Sequence, residues 1–257
     1  MKNFGFTLGE TLMTILVIGV VAALTLPGVI QNYQKDIFAT HLKKLSLDAE
    51  NAAYLATMHS GKIRFADTEA FSSAHDCSNC DAYMITYMKA KVKDNIFAST
   101  YKSIDGSSVN ENFTCTGKSY RLPGNVSACV TERTVANGDF SPFYQFEVDL
   151  NGKLGPNLSG RDFFKFYVDE FGKSLAFEPG LSLEHITKAI EVLLVGSSSC
   201  GEFSIDANGD GSCDINDITL LIDMKLLYTP SKSKCKKSSD GTNCYALLQQ
   251  NGWKMEY

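Results

Sequence analysis

The sequence predicts an α+β fold: a long N-terminal helix packed on a small antiparallel sheet, with a disulfide-bearing C-terminal region. Three observations carry this. No residue between Glu10 and Lys35 is charged. The stretches FYQFEVDLNG and DFFKFYV place large apolar residues at alternate positions, the period of half-buried strands. All eight cysteines, Cys77, Cys80, Cys115, Cys129, Cys200, Cys213, Cys235 and Cys244, lie downstream of the uncharged run.

As a helix, Phe6 to Val29 extends about 36 Å, enough to cross the hydrocarbon core of a bilayer. A cleaved secretory signal has a basic start and an apolar core of about 7–15 residues, whereas this run is longer and carries an acid, Glu10, at its mouth. A carboxylate there costs about 2.5–3.5 kcal/mol on insertion scales, so Glu10 needs either a partner or a route to the interface. Pro27 lies where a helix kinks. Gly19 reads equally as a flexible point or as a small residue for helix packing. From Gln34 to His59 the segment turns amphipathic, with Ile37, Phe38, Leu42, Leu45, Ala49, Ala52 and Ala56 at helical spacing, and Gly61 is a natural stop.

Residues 62–140 are rich in Ser, Asn, Gly and Thr and have no strong periodicity, so they predict loops with one helix near Ala82 to Val92. Tyr144, Phe146, Val148 and Leu150 then alternate before Asn151-Gly152, a hairpin signal, and DFFKFYV supplies the return strand. Asp149, Asn151 and Asp162 around this turn are either turn formers or oxygen ligands for a cation.

An even number of cysteines confined to one side of a span points to an oxidising compartment and to disulfides. Cys235 and Cys244 are close enough in sequence to pair. Cys77 and Cys80 leave a disulfide, free thiols or half of a zinc site open, with no second pair evident for zinc.

DANGDGSCDIND, Asp206 to Asp217, matches the calcium loop D-x-N-x-D-G in its first six places, with Asp214 and Asp217 ninth and twelfth. Its predicted calcium ligands are Asp206, Asn208, Asp210, the Ser212 carbonyl, Asp214 and Asp217, and Gly211 turns the chain around the ion.

The chain carries 29 acidic against 24 basic residues, and its one dense basic run is Lys232, Lys234, Lys236 and Lys237, so no nucleic-acid surface is expected. No nucleophile triad, acid/base pair or phosphate-binding glycine loop stands out, so an enzyme is not expected.

The order Gly5, Phe6, Thr7, Leu8, one residue, Glu10, then apolar sequence resembles the class III leader of type IV pilins and type II secretion pseudopilins. DLNGKLGPN and CYALLQQNGWKMEY also look like segments of pilin-like proteins. The resemblance implies a leader 1–5 cut by prepilin peptidase between Gly5 and Phe6, with Phe6 then N-methylated. It implies a membrane and assembly helix 6–29, its amphipathic continuation 30–61, a loop-rich β head 62–180, and a region 181–257 of helix, calcium loop, helix and closing segment. Glu10 would meet the terminal amine of a neighbouring subunit. The protein would sit in the bacterial inner membrane with its head outside the cytoplasm, then in a pilus or pseudopilus of its own copies or other pilin-like subunits. Lys35, Lys43 and Lys44 beyond the span run against that orientation by charge count; the cysteines and the leader outweigh them. The acidic loop resembles a single dockerin repeat, with Cys213 in its eighth place and Cys200 as the nearest upstream partner. An alternative follows, a membrane-anchored extracytoplasmic calcium-binding module.

Overall fold

The computed structural model describes residues 8–72, 74, 76–134, 142–179, 190, 191, 194 and 229–257. Helix α1, Leu8–Ser60, is continuous through Pro27 over 53 residues, about 80 Å at the usual rise. It ends where predicted, at Gly61 with φ +64°, because glycine takes that left-handed value without a Cβ penalty.

α1 divides by what covers it. Phe38, Ala39, Leu42, Leu45, Ala49, Ala52, Ala53 and Ala56 are buried, a stripe at three- and four-residue spacing that faces the head. Its alanines permit close approach: a Cβ on Gly172 would come within 2.6 Å of the Ala53 Cβ. The apolar half up to Ile30 leaves Leu12, Ile15, Leu16, Val20, Leu24 and Val29 exposed. This helix is long and apolar enough to span a membrane.

Among the described residues nine strands form one sheet: β1 Lys91–Val92, β2 Thr100–Ser103, β3 Val109–Glu111, β4 Lys118–Leu122, β5 Val126–Thr134, β6 Pro142–Asp149, β7 Leu158–Ser159, β8 Phe163–Val168 and β9 Ser174–Leu175. Their order is β1-β4-β5-β6-β8-β7-β2-β3, with β9 also on β8. Two expectations are corrected here. The sheet is mixed rather than purely antiparallel, since β7 runs parallel to both β2 and β8. Residues 62–140 are also less irregular than their composition suggests, contributing β1 to β5 and a short helix α2, Cys80–Thr86.

One face of the central strands meets α1. Tyr120, Ala128, Val130, Tyr144, Phe146, Val148, Phe164, Phe166 and Val168 join the α1 stripe in the main core, as the two-residue period of paired strands requires. Tyr83 of α2 lies stacked on Tyr144 and donates its hydroxyl to the Ala49 carbonyl at 2.7 Å. On the other face Ile96, Phe97, Tyr101, Cys129 and Phe163 form a smaller second core.

Helices α3, Lys232–Lys237, and α4, Thr242–Gln250, close the fold. Tyr245 of α4 lies parallel to Phe166 and edge-on to Trp253, so the closing segment packs on the head. Among the described residues three disulfides, Cys77–Cys80, Cys115–Cys129 and Cys235–Cys244, tie the head. The first decides among the alternatives for Cys77 and Cys80, because sulfurs joined to each other are neither free thiols nor thiolate ligands.

Candidate functional site

Of the residues expected to act in processing and assembly, Glu10 lies in the first turn of α1 on its exposed apolar half. An acid there suits the positive end of the helix dipole. Gly5 and Phe6 lie outside the described residues, as do the calcium-loop residues Asp206, Asn208, Asp210, Ser212, Asp214 and Asp217, and Cys200 and Cys213. Among the described residues no three His, Cys, Asp or Glu side chains form a metal-binding group.

The third predicted set is brought together. Asp149 ends β6 and Asp162 immediately precedes β8. Because Asp149 pairs in register with Phe163 and the Leu150 N–H binds the Asp162 carbonyl at 2.9 Å, the two acids stand at the neck of one loop. Both are 0% exposed. The Tyr101 hydroxyl donates to Asp149 Oδ2 at 2.6 Å and the Asn151 N–H to Oδ1 at 3.1 Å. Asp162 accepts the Leu158 N–H at 2.6 Å on Oδ1 and the Asn157 N–H at 2.8 Å on Oδ2.

Burial pushes the Asp149 carboxyl up to about 7, with the nearby Asp162 charge adding to the rise and the Tyr101 hydrogen bond opposing it. Burial also raises Asp162, against the hydrogen bonds from Leu158 and Asn157. Neither acid has an ion-pair partner among the described residues. Of the cations nearby, Lys153 Nζ reaches Asn95 Oδ1 at 2.8 Å and Arg121 Nη1 the Asn125 carbonyl at 2.7 Å, whereas Arg161, whose Nη2 reaches the Gln31 carbonyl at 3.5 Å, also favours the charged form of Asp162 through its own charge.

Two members of this cluster were not read from the sequence. Tyr101 comes from β2, 48 residues away, and nothing local marks it. Asn157 did carry a signal, since it closes the string DLNGKLGPN, and its φ of +54° is a value that asparagine tolerates better than most residues. Searches against protein-family models, curated proteins and solved structures find no match for this chain.

Proposed function

We propose that this chain is a structural subunit of a type IV pilus or type II secretion pseudopilus, without catalytic activity of its own. Prepilin peptidase cuts it between Gly5 and Phe6, Phe6 is N-methylated, and the subunit polymerises through its N-terminal helix. It starts in the bacterial inner membrane with an extracytoplasmic head and ends in a filament of its own copies or other pilin-like subunits.

The observation that carries this reading is the division of α1. Its first half presents apolar side chains all round with Glu10 in the first turn, and its second half is sealed against a disulfide-tied head. A helix apolar on every side is suited to lipid or to other helices rather than water. Glu10 then answers the amine created at Phe6 of a neighbouring subunit, because a carboxylate in an apolar layer is stabilised by an opposite charge.

The loop Asp206 to Asp217 binds one Ca²⁺ through Asp206, Asn208, Asp210, the Ser212 carbonyl, Asp214 and Asp217. The ion supplies the positive charge that lets these oxygens converge. Six of the eight cysteines are paired in the head and C-terminal helices, which supports Cys200–Cys213 as the fourth pair, stapling this loop. The loop also favours the second reading, an anchored calcium-binding module in which residues 1–33 only tether.

The test is incorporation. Glu10→Val is inserted and processed but enters filaments poorly beside wild-type subunits, since the neighbour's amine loses its counter-charge. The substitution makes the segment more apolar, so a defect cannot come from failed insertion. Normal incorporation contradicts the assembly role and favours the tether.

A further inference from the structure

We propose that the loop joining β6 to β8 rests on the phospholipid surface beside α1, with Leu154 at its tip entering the acyl boundary. The inference rests on the reading that α1 spans a membrane, and it concerns how the head meets that membrane before any filament forms.

The first support is the direction of the strands. Arg161, two residues before β8, donates its Nη2 to the Gln31 carbonyl at 3.5 Å. The Gly160 carbonyl takes the Tyr257 hydroxyl at 2.9 Å, and Lys35 Nζ reaches the Tyr257 main-chain oxygen at 3.5 Å. Past the other end of β8, the Ser174 N–H binds Glu50 Oε1 at 2.9 Å and Gly172 packs on Ala53. β8 therefore runs along α1 from the end of the apolar half toward the buried stripe, past about 28 Å of helix. β6 pairs with it antiparallel, so the loop between them lies at the end of the sheet that faces the apolar half.

That end stands at the level of a membrane surface. No residue from Thr11 to Gln34 is charged, and a hydrocarbon core takes about 20 helical residues. With this run in lipid, Gln31 to Lys35 occupy the headgroup layer. Tyr33 there is 66% exposed, and tyrosine is a residue type enriched at such interfaces.

The second support is the tip itself. Lys153, Leu154, Gly155 and Pro156 are its exposed residues, with one cation and no acid among them. Leu154 is 66% exposed and joins neither described core. The loop is braced in this form: Asn151 Nδ2 donates to the Gly155 carbonyl at 3.0 Å and Lys153 Nζ to Asn95 Oδ1 at 2.8 Å. Single exposed leucines are commonplace on surfaces that face water. Held outward at the membrane-facing end, this one gains by leaving water for the acyl boundary, and the lysine beside it can lay its stem there while its ammonium stays in the polar layer.

The experiment places one tryptophan at a time in the full chain, with Trp253→Phe as background, in nanodiscs of phosphatidylcholine and phosphatidylglycerol. The acyl chains carry bromine, a contact quencher, either near the glycerol or near the methyl end. Leu154→Trp is expected to lose emission with the shallow bromines and to keep it with the deep ones. Leu16→Trp, within the span, loses emission with the deep bromines. Ile63→Trp, on a residue 94% exposed just past the far end of α1, keeps its emission with both. Should Trp253→Phe loosen the fold, the same variants are made with Trp253 kept and the added emission is read by difference. Quenching at Leu16 without quenching at Leu154 overturns the proposal and leaves the span standing. Quenching at neither overturns the span and the proposal with it, and equal quenching at Leu154 and Ile63 overturns the assignment of this loop as the contact.

Discussion

From Leu8 to Tyr33, helix α1 keeps its apolar side chains exposed, Leu24 to 78%, whereas between Phe38 and Ala56 its inner stripe is closed off, Leu42 to 0%. The backbone is the same regular helix throughout; the difference lies in side-chain size and in what stands opposite. The lower half carries alanine where strands and α2 come close, and on its outer side charged residues such as Lys43, Lys44 and Asp48 alternate with the exposed Leu47, Tyr54, Leu55 and Met58. The upper half carries branched aliphatics on every side, and among the described residues the head reaches it at its lower end, where Arg161 donates to the Gln31 carbonyl. One half is built to fit the rest of the chain, and the other belongs to a helix long and apolar enough to span a membrane.

The sharpest way to break this comparison is a matched pair of truncations. Leu42→Ala opens a cavity in the main core and should lower the stability of the head by about 2–5 kcal/mol, read as a fall in the melting temperature of the full chain in detergent. Leu24→Ala removes the same atoms from the exposed half and should leave that melting temperature unchanged. Equal losses would mean that the upper half is packed against the head after all.

Opening Cys235–Cys244 by replacing both cysteines with alanine ranks next. The bridge joins α3 to α4, both sulfurs lie in fully buried residues, and the loss should be about 2–4 kcal/mol. Chemical denaturation of mutant and wild type measures it. The upper half, which has no cysteine, should show no change in detergent-bound helicity.

A pH dependence confined to the head follows from Asp149. Its carboxyl is raised from the ordinary carboxylate range to about 7 in the fold, so between roughly pH 4 and pH 7 the native state holds a proton that the unfolded state has released. Stability therefore falls as pH rises through that window. In chelator the head should melt higher at pH 5 than at pH 8, with the slope reduced in Asp149→Asn.

The smallest expected effect is that of Tyr83→Phe, which deletes the hydroxyl reaching from α2 to the Ala49 carbonyl. About 1 kcal/mol is expected, visible as faster amide exchange in the lower half of α1 and none in the upper.

Much of this division is legible in the residues. The uncharged run, the alanine and leucine spacing after it, and Gly61 mark α1 and its end. The alternation of Tyr144, Phe146 and Val148 marks β6, and Phe164, Phe166 and Val168 mark β8. Strand β5, VSACVTERT, escapes such reading because both its faces are covered. Val126, Ala128 and Val130 face the main core, while Ser127 and Cys129 are buried behind them, so short side chains blur the two-residue period. The parallel pairing of β7 with β2 escapes because it joins residues more than fifty positions apart and leaves no local trace. At the head loop the acids and Asn151 are readable from turn chemistry, whereas Tyr101 enters only through that same long-range pairing.

The proposed assembly role requires the upper half of α1 to begin at a processed terminus, and mass spectrometry of the mature chain purified from membranes or filaments reads that terminus directly. The prediction is a chain starting at N-methylated Phe6, with Gly5→Val left as full-length precursor. Native protein that still begins at Met1, or that begins beyond residue 20, would contradict it.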